Sequence, residues 1–518
     1  MNKIFRAIIF CLAVFAGACS DNTYDKHYEA DPAIVSENNL WTTIEAMPEL
    51  SKFTGILKGY GYDQILSQTQ AYTVFAPDNA ALSALDTTNM DVLKELVENH
   101  IARFILPVPG RSASVVATLN GKRIILSWGS NNYFFGSAAF AVPTQSVIAS
   151  NGIVHVLDNY DVFFPNVYEY LSKGAGLDSI KDFLYSFDEL LFYPEASVPG
   201  SIVDGQQTYL DSVFYNYNSM LDSIGYINRE DSSYIMIVPD NAAWIEAYDR
   251  VKNDYAYYNK NAAKADSMQR MHTAYALIQD LVFNLNEQES SQDSLVSTTR
   301  NTFYNPQYLF DGAQAVSTSN GTVFVTGQLK YKAYESWQPR ILVEAERVLG
   351  RTNTLSTPSV VRVTGDAITL ISGGQYLKLD PTTSSGNPTV TFEIPNTLSS
   401  YYDIYCVFVS TNIATPGAQG LKPCKVYFNL SYVNANGTTL IDRFPATGDI
   451  ETNPNRIDTV LVVSDFKFPT ANYNELQDNG DPLVTVTLKV ISDVARTETT
   501  NYNRQLLLDC ILLEPKKQ

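Results

Sequence analysis

Two stretches of this 518-residue chain recur in the same order, and an internal repeat narrows the possible folds more than any other feature it has. Tyr72-Thr73-Val74-Phe75-Ala76-Pro77-Asp78-Asn79-Ala80-Ala81 returns as Tyr234-Ile235-Met236-Ile237-Val238-Pro239-Asp240-Asn241-Ala242-Ala243. Further on, Ser150-Asn151-Gly152-Ile153-Val154-His155-Val156 returns as Ser319-Asn320-Gly321-Thr322-Val323-Phe324-Val325. The separation from proline to glycine is about 75 residues in the first copy and about 82 in the second, which predicts tandem domains of one plan. The apolar run before each proline predicts a buried strand, ended there because proline lacks the donor a ladder needs. Asp78 or Asn79 is then placed to cap a following helix. Asn151-Gly152 is a tight-turn signal. Between these motifs Leu93, Leu96, Val97, His100, Ile101 and Phe104 fall at helical spacing and predict one apolar face. Thr118-Leu119-Asn120-Gly121 turns into a strand from Arg123 to Trp128.

These motifs together resemble a fasciclin domain: a buried strand ending at proline, a helix carrying a histidine, a Thr-Leu-x-Gly turn and a closing Asn-Gly-x-x-His strand. The first copy, residues 33–165, carries all of them. The second, residues 166–335, keeps the two flanking motifs but has Phe324 for His155 and an insertion rich in Tyr and Asn from Tyr255 to Asn261. The resemblance implies adhesion or protein contact rather than turnover. In animal members a Tyr-His pair in the helix region is linked to adhesion, and here the matching place reads Asn99-His100, without the tyrosine. His100 on an apolar helical face and His155 in a strand read as core histidines with satisfied ring nitrogens.

After Trp337-Gln338-Pro339, read as a linker, the texture changes. From 340 to 518 the chain alternates as strands, for example Val390–Ile394 and Val484–Val490, separated by turn clusters such as Thr383–Pro388. This predicts an all-β sandwich. Its opening Ile341-Leu342-Val343-Glu344-Ala345-Glu346 and its closing Gln505–Pro515 are similar to the first and last strands of jelly-roll carbohydrate-binding modules of families 6 and 35. The run from Phe392 through Tyr405 is similar to their middle segment. The expected class is therefore multidomain: two α+β fasciclin-like domains followed by an all-β jelly-roll sandwich. The second resemblance implies a structural calcium on Glu344, Glu346 and Asp509, and hard carboxylate oxygens suit that ion. It also implies a sugar site with an aromatic platform. Tyr376, Tyr401, Tyr402 and Tyr405 lie near turns, but nothing in the sequence selects one of them.

The N-terminus carries an export signal. Lys3 and Arg6 precede an apolar run from Ala7 to Ala16, too short for a span of roughly 20 residues. Small residues then lead into Cys19 in Ala16-Gly17-Ala18-Cys19, which resembles the lipobox of bacterial lipoproteins. The resemblance implies a signal peptide over 1–18, acylation of Cys19 and a tether over 19–32. Several acyl chains anchor stably where one does not. Ser20-Asp21-Asn22 resembles the surface-export signal of Bacteroidetes lipoproteins, so the chain is expected on the outer membrane, facing outward.

The net charge of −19 argues against nucleic acid, which needs cationic cover for its phosphates. Cys406, Cys424 and Cys510 are too few for a disulfide framework and sit in apolar strand-like runs, so buried thiols are expected. Asp-Ser or Asp-Thr before an aliphatic residue or Met recurs, as at Asp178-Ser179-Ile180 and Asp458-Thr459-Val460. That pattern resembles the Bacteroidetes O-glycosylation sequon, and an intact mass equal to the unmodified lipidated chain would dismiss it. No nucleophile elbow, Walker loop, dinucleotide fingerprint or metal-ligating histidine pair occurs, so no catalytic residue is nominated and no cofactor is required. The sequence predicts a non-catalytic surface lipoprotein that binds glycan through its C-terminal sandwich, with the fasciclin domains as adhesive or spacer modules. The alternative is a protein-binding assembly component of an outer-membrane complex.

Overall fold

The computed structural model describes residues 34–35, 37–108, 110–141, 146–287, 293–477, 480 and 482–516, so the signal, Cys19 and the tether lie outside the described residues. The chain divides into two compact units that meet between Pro165 and Asn166.

In the first unit the strand Tyr72–Pro77 is buried along its whole length and lies parallel to Gly152–Leu157, with Tyr72 opposite Gly152 and Pro77 opposite Leu157. Antiparallel neighbours Ile101–Arg103 and Ser146–Ala149 flank this pair, and helices Leu40–Glu45, Ser51–Gly59, Tyr62–Leu66 and Met90–Asn99 complete the α+β layer. A second sheet of four short strands runs from Ser114 to Ala139. The helical period ends earlier than the apolar pattern suggests. Asn99 is the last helical residue, because the His100 carbonyl is taken by Phe75 N–H and draws the chain into the sheet. Phe104 leaves the core altogether, 72% exposed with φ of 68°. Asp78 does cap, accepting from Ala81 N–H, but the helix it starts is only a 3-10 turn, Ala81–Ala84.

The tight turn is also built differently. Ala149 pairs with Gly152, so Ser150 and Asn151 are the loop and Gly152 is already strand. Glycine is required there for space: a Cβ would stand 2.3 Å from the Tyr72 carbonyl oxygen. At Gly321 the same approach, to the Tyr234 carbonyl oxygen, would be 1.9 Å.

The second unit opens with the second fasciclin-like domain. Tyr234–Pro239 lies parallel to Gly321–Thr326 in the same register as its counterpart, Tyr234 opposite Gly321. Val282–Asn284 and Gln314–Thr318 flank the pair, reproducing the strand order of the first domain. Here Asp240 caps a full helix, Asn241–Val251, by accepting from Ala243 N–H at 2.8 Å.

The sandwich follows, two antiparallel sheets with the apolar core between them. One sheet orders its strands Ser356–Arg362, Gln375–Pro381, Leu506–Pro515, Tyr401–Phe408 and Asp458–Lys467, with Ile341–Glu344 also paired to Leu506–Pro515. The other runs Arg351–Thr354, Thr389–Glu393, Thr487–Ser492, Lys425–Val433 and Thr439–Phe444. Lys425–Val433 alternates half-buried and buried at every position, the pattern of a strand with one face on a core. The last strand of the apolar run starting at Val484 begins only at Thr487. The three cysteines are free buried thiols.

Trp337 and Gln338, read as a linker, are buried. Trp337 Nε1–H donates to Asp254 at 3.2 Å, Ser399 N–H to the Asp254 carbonyl at 2.8 Å, and Ala471 N–H to the Ala256 carbonyl at 2.6 Å. Leu398 of the sandwich belongs to the same apolar cluster as Val167, Trp244 and Phe283. The inserted segment after Val251 thus docks on the sandwich, and the two modules share a core. Among the described residues no helix is long and apolar enough to cross a membrane.

Candidate functional site

The acidic cluster of the sandwich is assembled by an irregularity in its last strand. Val407 pairs with Cys510 but Phe408 pairs with Leu508, so Asp509 is an extra residue, a bulge. Bulges of this kind re-aim a side chain out of the ladder alternation. Glu344 stands opposite Cys510 on the neighbouring strand. The Ser372–Gly374 turn supplies the donors: Ser372 N–H donates to Asp509 Oδ1 at 3.0 Å, and its hydroxyl donates to Glu344 Oε1 at 2.5 Å. Gly373, with φ of 59°, lets the backbone pass close by; a Cβ there would lie 3.5 Å from Glu346 Oε1.

The charge is not balanced by these donors. Oε2 of Glu344 and Oε2 of Glu346 are buried and have no hydrogen-bond partner. Burial first, then the nearby Glu344 and Glu346, push the Asp509 carboxyl up to about 7, and burial raises Glu346 as well. Like charges in a low-dielectric pocket cannot all ionise unless a proton or a cation joins them. Ligating atoms of Glu344, Asp509 and Cys510 lie within 4.8 Å of one another. The Cys510 thiol is a poor partner for a hard ion, and burial with the surrounding acids keeps it protonated. The structure therefore brings Glu344, Glu346 and Asp509 together, and the orphaned oxygens are of the type that a hard divalent cation takes.

The tyrosines near the turns sort by burial. Tyr376 and Tyr402 are 2% and 1% exposed, and the Tyr402 hydroxyl accepts from Leu398 N–H, so both are core. Tyr405 is half-buried, and Tyr401 lies at the surface with Lys467 over its ring at 5.2 Å. A cleft of about 500 Å³ opens elsewhere, at one end of the sandwich, between the loops around Thr383, Gln419 and Tyr502. Arg504 anchors its floor, donating from Nε to the Val494 carbonyl at 3.1 Å and from Nη1 to the Ser384 carbonyl. Lys422 donates to the Thr499 carbonyl at 2.7 Å. Hydroxyls, amides and one tyrosine ring make this lining. No sequence signal selected Tyr502, because the cleft exists only once three distant loops meet.

The first unit places its two histidines in the core. Asp161 N–H donates to His100 Nε2 at 3.1 Å, so Nδ1 carries the proton and donates to the Leu96 carbonyl at 2.8 Å. His155 has the other tautomer: Nε2–H donates to the Leu106 carbonyl at 3.0 Å and Nδ1 accepts from the Ser146 hydroxyl at 2.7 Å. Desolvation lowers both imidazoles to about 4. They are neutral structural groups.

The chain is thus a multidomain protein, two α+β domains of fasciclin type followed by a β-sandwich. Residues 48–160 match the fasciclin domain family. No curated protein matches the chain. Among solved structures, the chain is similar to the FAS1 domain pair of the insect cell adhesion molecule fasciclin I, at 15% identity over 55% of this chain and 98% of that one, with a TM-score of 0.21. It is also similar to the CBM22-1 xylan-binding domain of Paenibacillus barcinonensis Xyn10C, at 14% identity over 35% of this chain and 94% of that one, TM-score 0.21. A family 35 carbohydrate-binding module from Clostridium thermocellum follows at 8% identity, 34% and 99% coverage and a TM-score of 0.19. At these scores none of the three structures bears on the argument.

Proposed function

We propose that this chain is a non-catalytic binding protein, held by lipid on Cys19 at the outer membrane with its domains facing outward, and that its sandwich captures glycan. The observation that carries the glycan reading is the end cleft of about 500 Å³, lined by Thr383, Ser384, Gln419, Tyr502 and Asn503. Hydroxyls and amides exchange hydrogen bonds with sugar hydroxyls, and a tyrosine ring takes the C–H face. Glu344, Glu346 and Asp509 would hold a calcium whose charge fixes the Ser372–Gly374 turn. The fasciclin domains serve as adhesive or spacer modules. The mature chain on a broad glycan array, with and without calcium, tests this: retention of at least one polysaccharide, weakened by Tyr502→Ala, is expected. A blank array in both conditions overturns it. The anchor has its own test, since fatty-acid labelling that persists in Cys19→Ala removes it.

A second reading, protein-protein assembly, is favoured by one feature. The paired strands Asp188–Phe192 and Phe214–Asn218 leave Leu190, Phe192, Phe214 and Tyr215 exposed on one arm of the second domain, and such patches mark contact surfaces. Cross-linking in the native membrane that yields a stoichiometric protein partner through this arm would favour it.

A further inference from the structure

A second cavity, of about 300 Å³, lies where the inserted segment Tyr258–Lys260 of the second fasciclin-like domain faces the sandwich. Tyr258 is seated there because Gly437 has no side chain: a Cβ at Gly437 would stand 2.0 Å from Tyr258 Cζ. The sandwich contributes Glu475, Thr485 and the apolar Val433 and Leu483 to the opposite wall.

Glu475 is the telling group. It is 8% exposed, and its carboxylate has no hydrogen-bond or ion-pair partner among the described residues. Burial pushes it above the usual carboxylate range, while Lys264 acts on it only at a distance. A buried carboxylate without donors is costly, and native proteins supply them from protein, water or ligand. The cavity sets limits on that ligand. Its volume is at the small end for ligand sites and admits about one ring. Lys260 and the neighbouring Lys264 disfavour a cation, and Glu475 disfavours an anion. The mixed lining of tyrosine, amide, hydroxyl and aliphatic groups wants a body with one apolar face and several donors.

We infer that this cavity is a subsite for a single neutral sugar ring, whose adjacent hydroxyls donate to Glu475 and whose C–H face packs on Tyr258. The inference deepens the glycan reading above and rests on it, but the site is separate from the end cleft and half of it is built by the fasciclin-like domain. The sandwich alone would not contain it.

The test uses the mature full chain and D-glucose, D-galactose, D-mannose, D-xylose, L-arabinose, L-fucose and N-acetylglucosamine at millimolar concentration, read by saturation-transfer NMR and calorimetry. At least one sugar binds, and Glu475→Gln, which keeps the shape and removes the charge, weakens it about tenfold, as does Tyr258→Ala. Tyr502→Ala leaves it unchanged. If Tyr258→Ala fails to fold, Glu475→Gln decides alone. Binding that survives Glu475→Gln but falls in Tyr502→Ala overturns this inference and leaves the end cleft standing. A positive glycan array with no bound monosaccharide overturns it too, and silence in both assays removes both readings.

Discussion

Asn320 does for the second fasciclin-like domain what Asn151 does for the first. Asn151 Oδ1 accepts from Leu40 N–H at the start of a helix, while Nδ2 donates to the carbonyls of Leu66 and Gln68. Asn320 Oδ1 accepts from Val167 N–H at 2.8 Å, and Nδ2 donates to the carbonyls of Ile227 and Arg229 at 2.8 and 2.9 Å. In both domains one amide ties the first helix to the loop that leads into the central strand. The paired asparagines Asn79 and Asn241 act similarly: Oδ1 of each accepts from a helix N-terminal N–H, that of Lys52 or Ser179, at 2.9 Å.

Asn320→Ala would strand a buried N–H and two carbonyls at once. A loss of about 3 kcal/mol is expected in the second unit, and a similar loss in the first for Asn151→Ala. Urea titration of each variant measures it, and a change near zero would refute the role assigned to the amide.

The first unit should weaken on acidification. His100 and His155 titrate near 4 when folded and near the ordinary 6.5 when unfolded. Above about pH 6.5 both states are neutral and the stabilising contribution is complete. As pH falls from 6.5 to 4 the unfolded chain binds protons the folded one refuses, and stability drops by about 1.4 kcal/mol per pH unit for each histidine. Amide exchange in residues 34–165 at pH 7.5 and 5 reports it. The double change His155→Phe and Ser146→Ala should remove one histidine's share of the slope.

The sandwich should respond in the opposite sense. Asp509 has its folded value raised to about 7 from an ordinary 3.8, so without calcium stability falls as pH rises through that window. Calcium binds the ionised carboxylates, so its stabilising effect grows with pH, raising Tm by a few degrees at pH 8 and less at pH 5. Asp509→Asn should abolish both the slope and the calcium response. Thermal melts with calcium or EDTA decide, and a Tm indifferent to calcium at pH 8 counts against the site.

Trp337 holds the seam between the second fasciclin-like domain and the sandwich. Trp337→Ala is expected to cost about 3–5 kcal/mol and to leave Asp254, already raised by burial, without its indole donor. Calorimetry of the parent chain should show residues 166–518 melting in one transition, and in the variant two. Two transitions already present in the parent would contradict a shared core.

Much of this was readable in the sequence, and the reasons are local. The proline that ends Tyr72–Pro77, and the Asn-Gly that precedes Gly152–Leu157, are single-residue constraints, so their repetition exposes the repeated fold. The even alternation of Lys425–Val433 likewise reports one buried face. What escaped depends on partners remote in the chain. The apolar pattern through Phe104 looked helical, but a hydrogen bond from Phe75 to the His100 carbonyl ends the helix first. Glu344, Glu346 and Asp509 were nominated from a resemblance, yet only the strand bulge shows how Asp509 can turn toward the two glutamates. Trp337 looked like linker because burial by a neighbouring module leaves no mark in its own flanks. Glu475 and Tyr258 carried no signal at all, since neither belongs to a motif and they meet only across the seam.

His155 faces Ser146 across its hairpin, and the matching pair in the second domain is Phe324 facing Ala315. Neighbouring repeats on one chain risk exchanging strands while they fold, since both offer the same register to an incoming partner. Here an exchanged strand would set an imidazole against an alanine methyl, or a phenyl ring against a serine hydroxyl, and leave a buried polar atom stranded either way. The two copies are similar enough to share a plan and different enough, at this one pair, to reject each other's pieces.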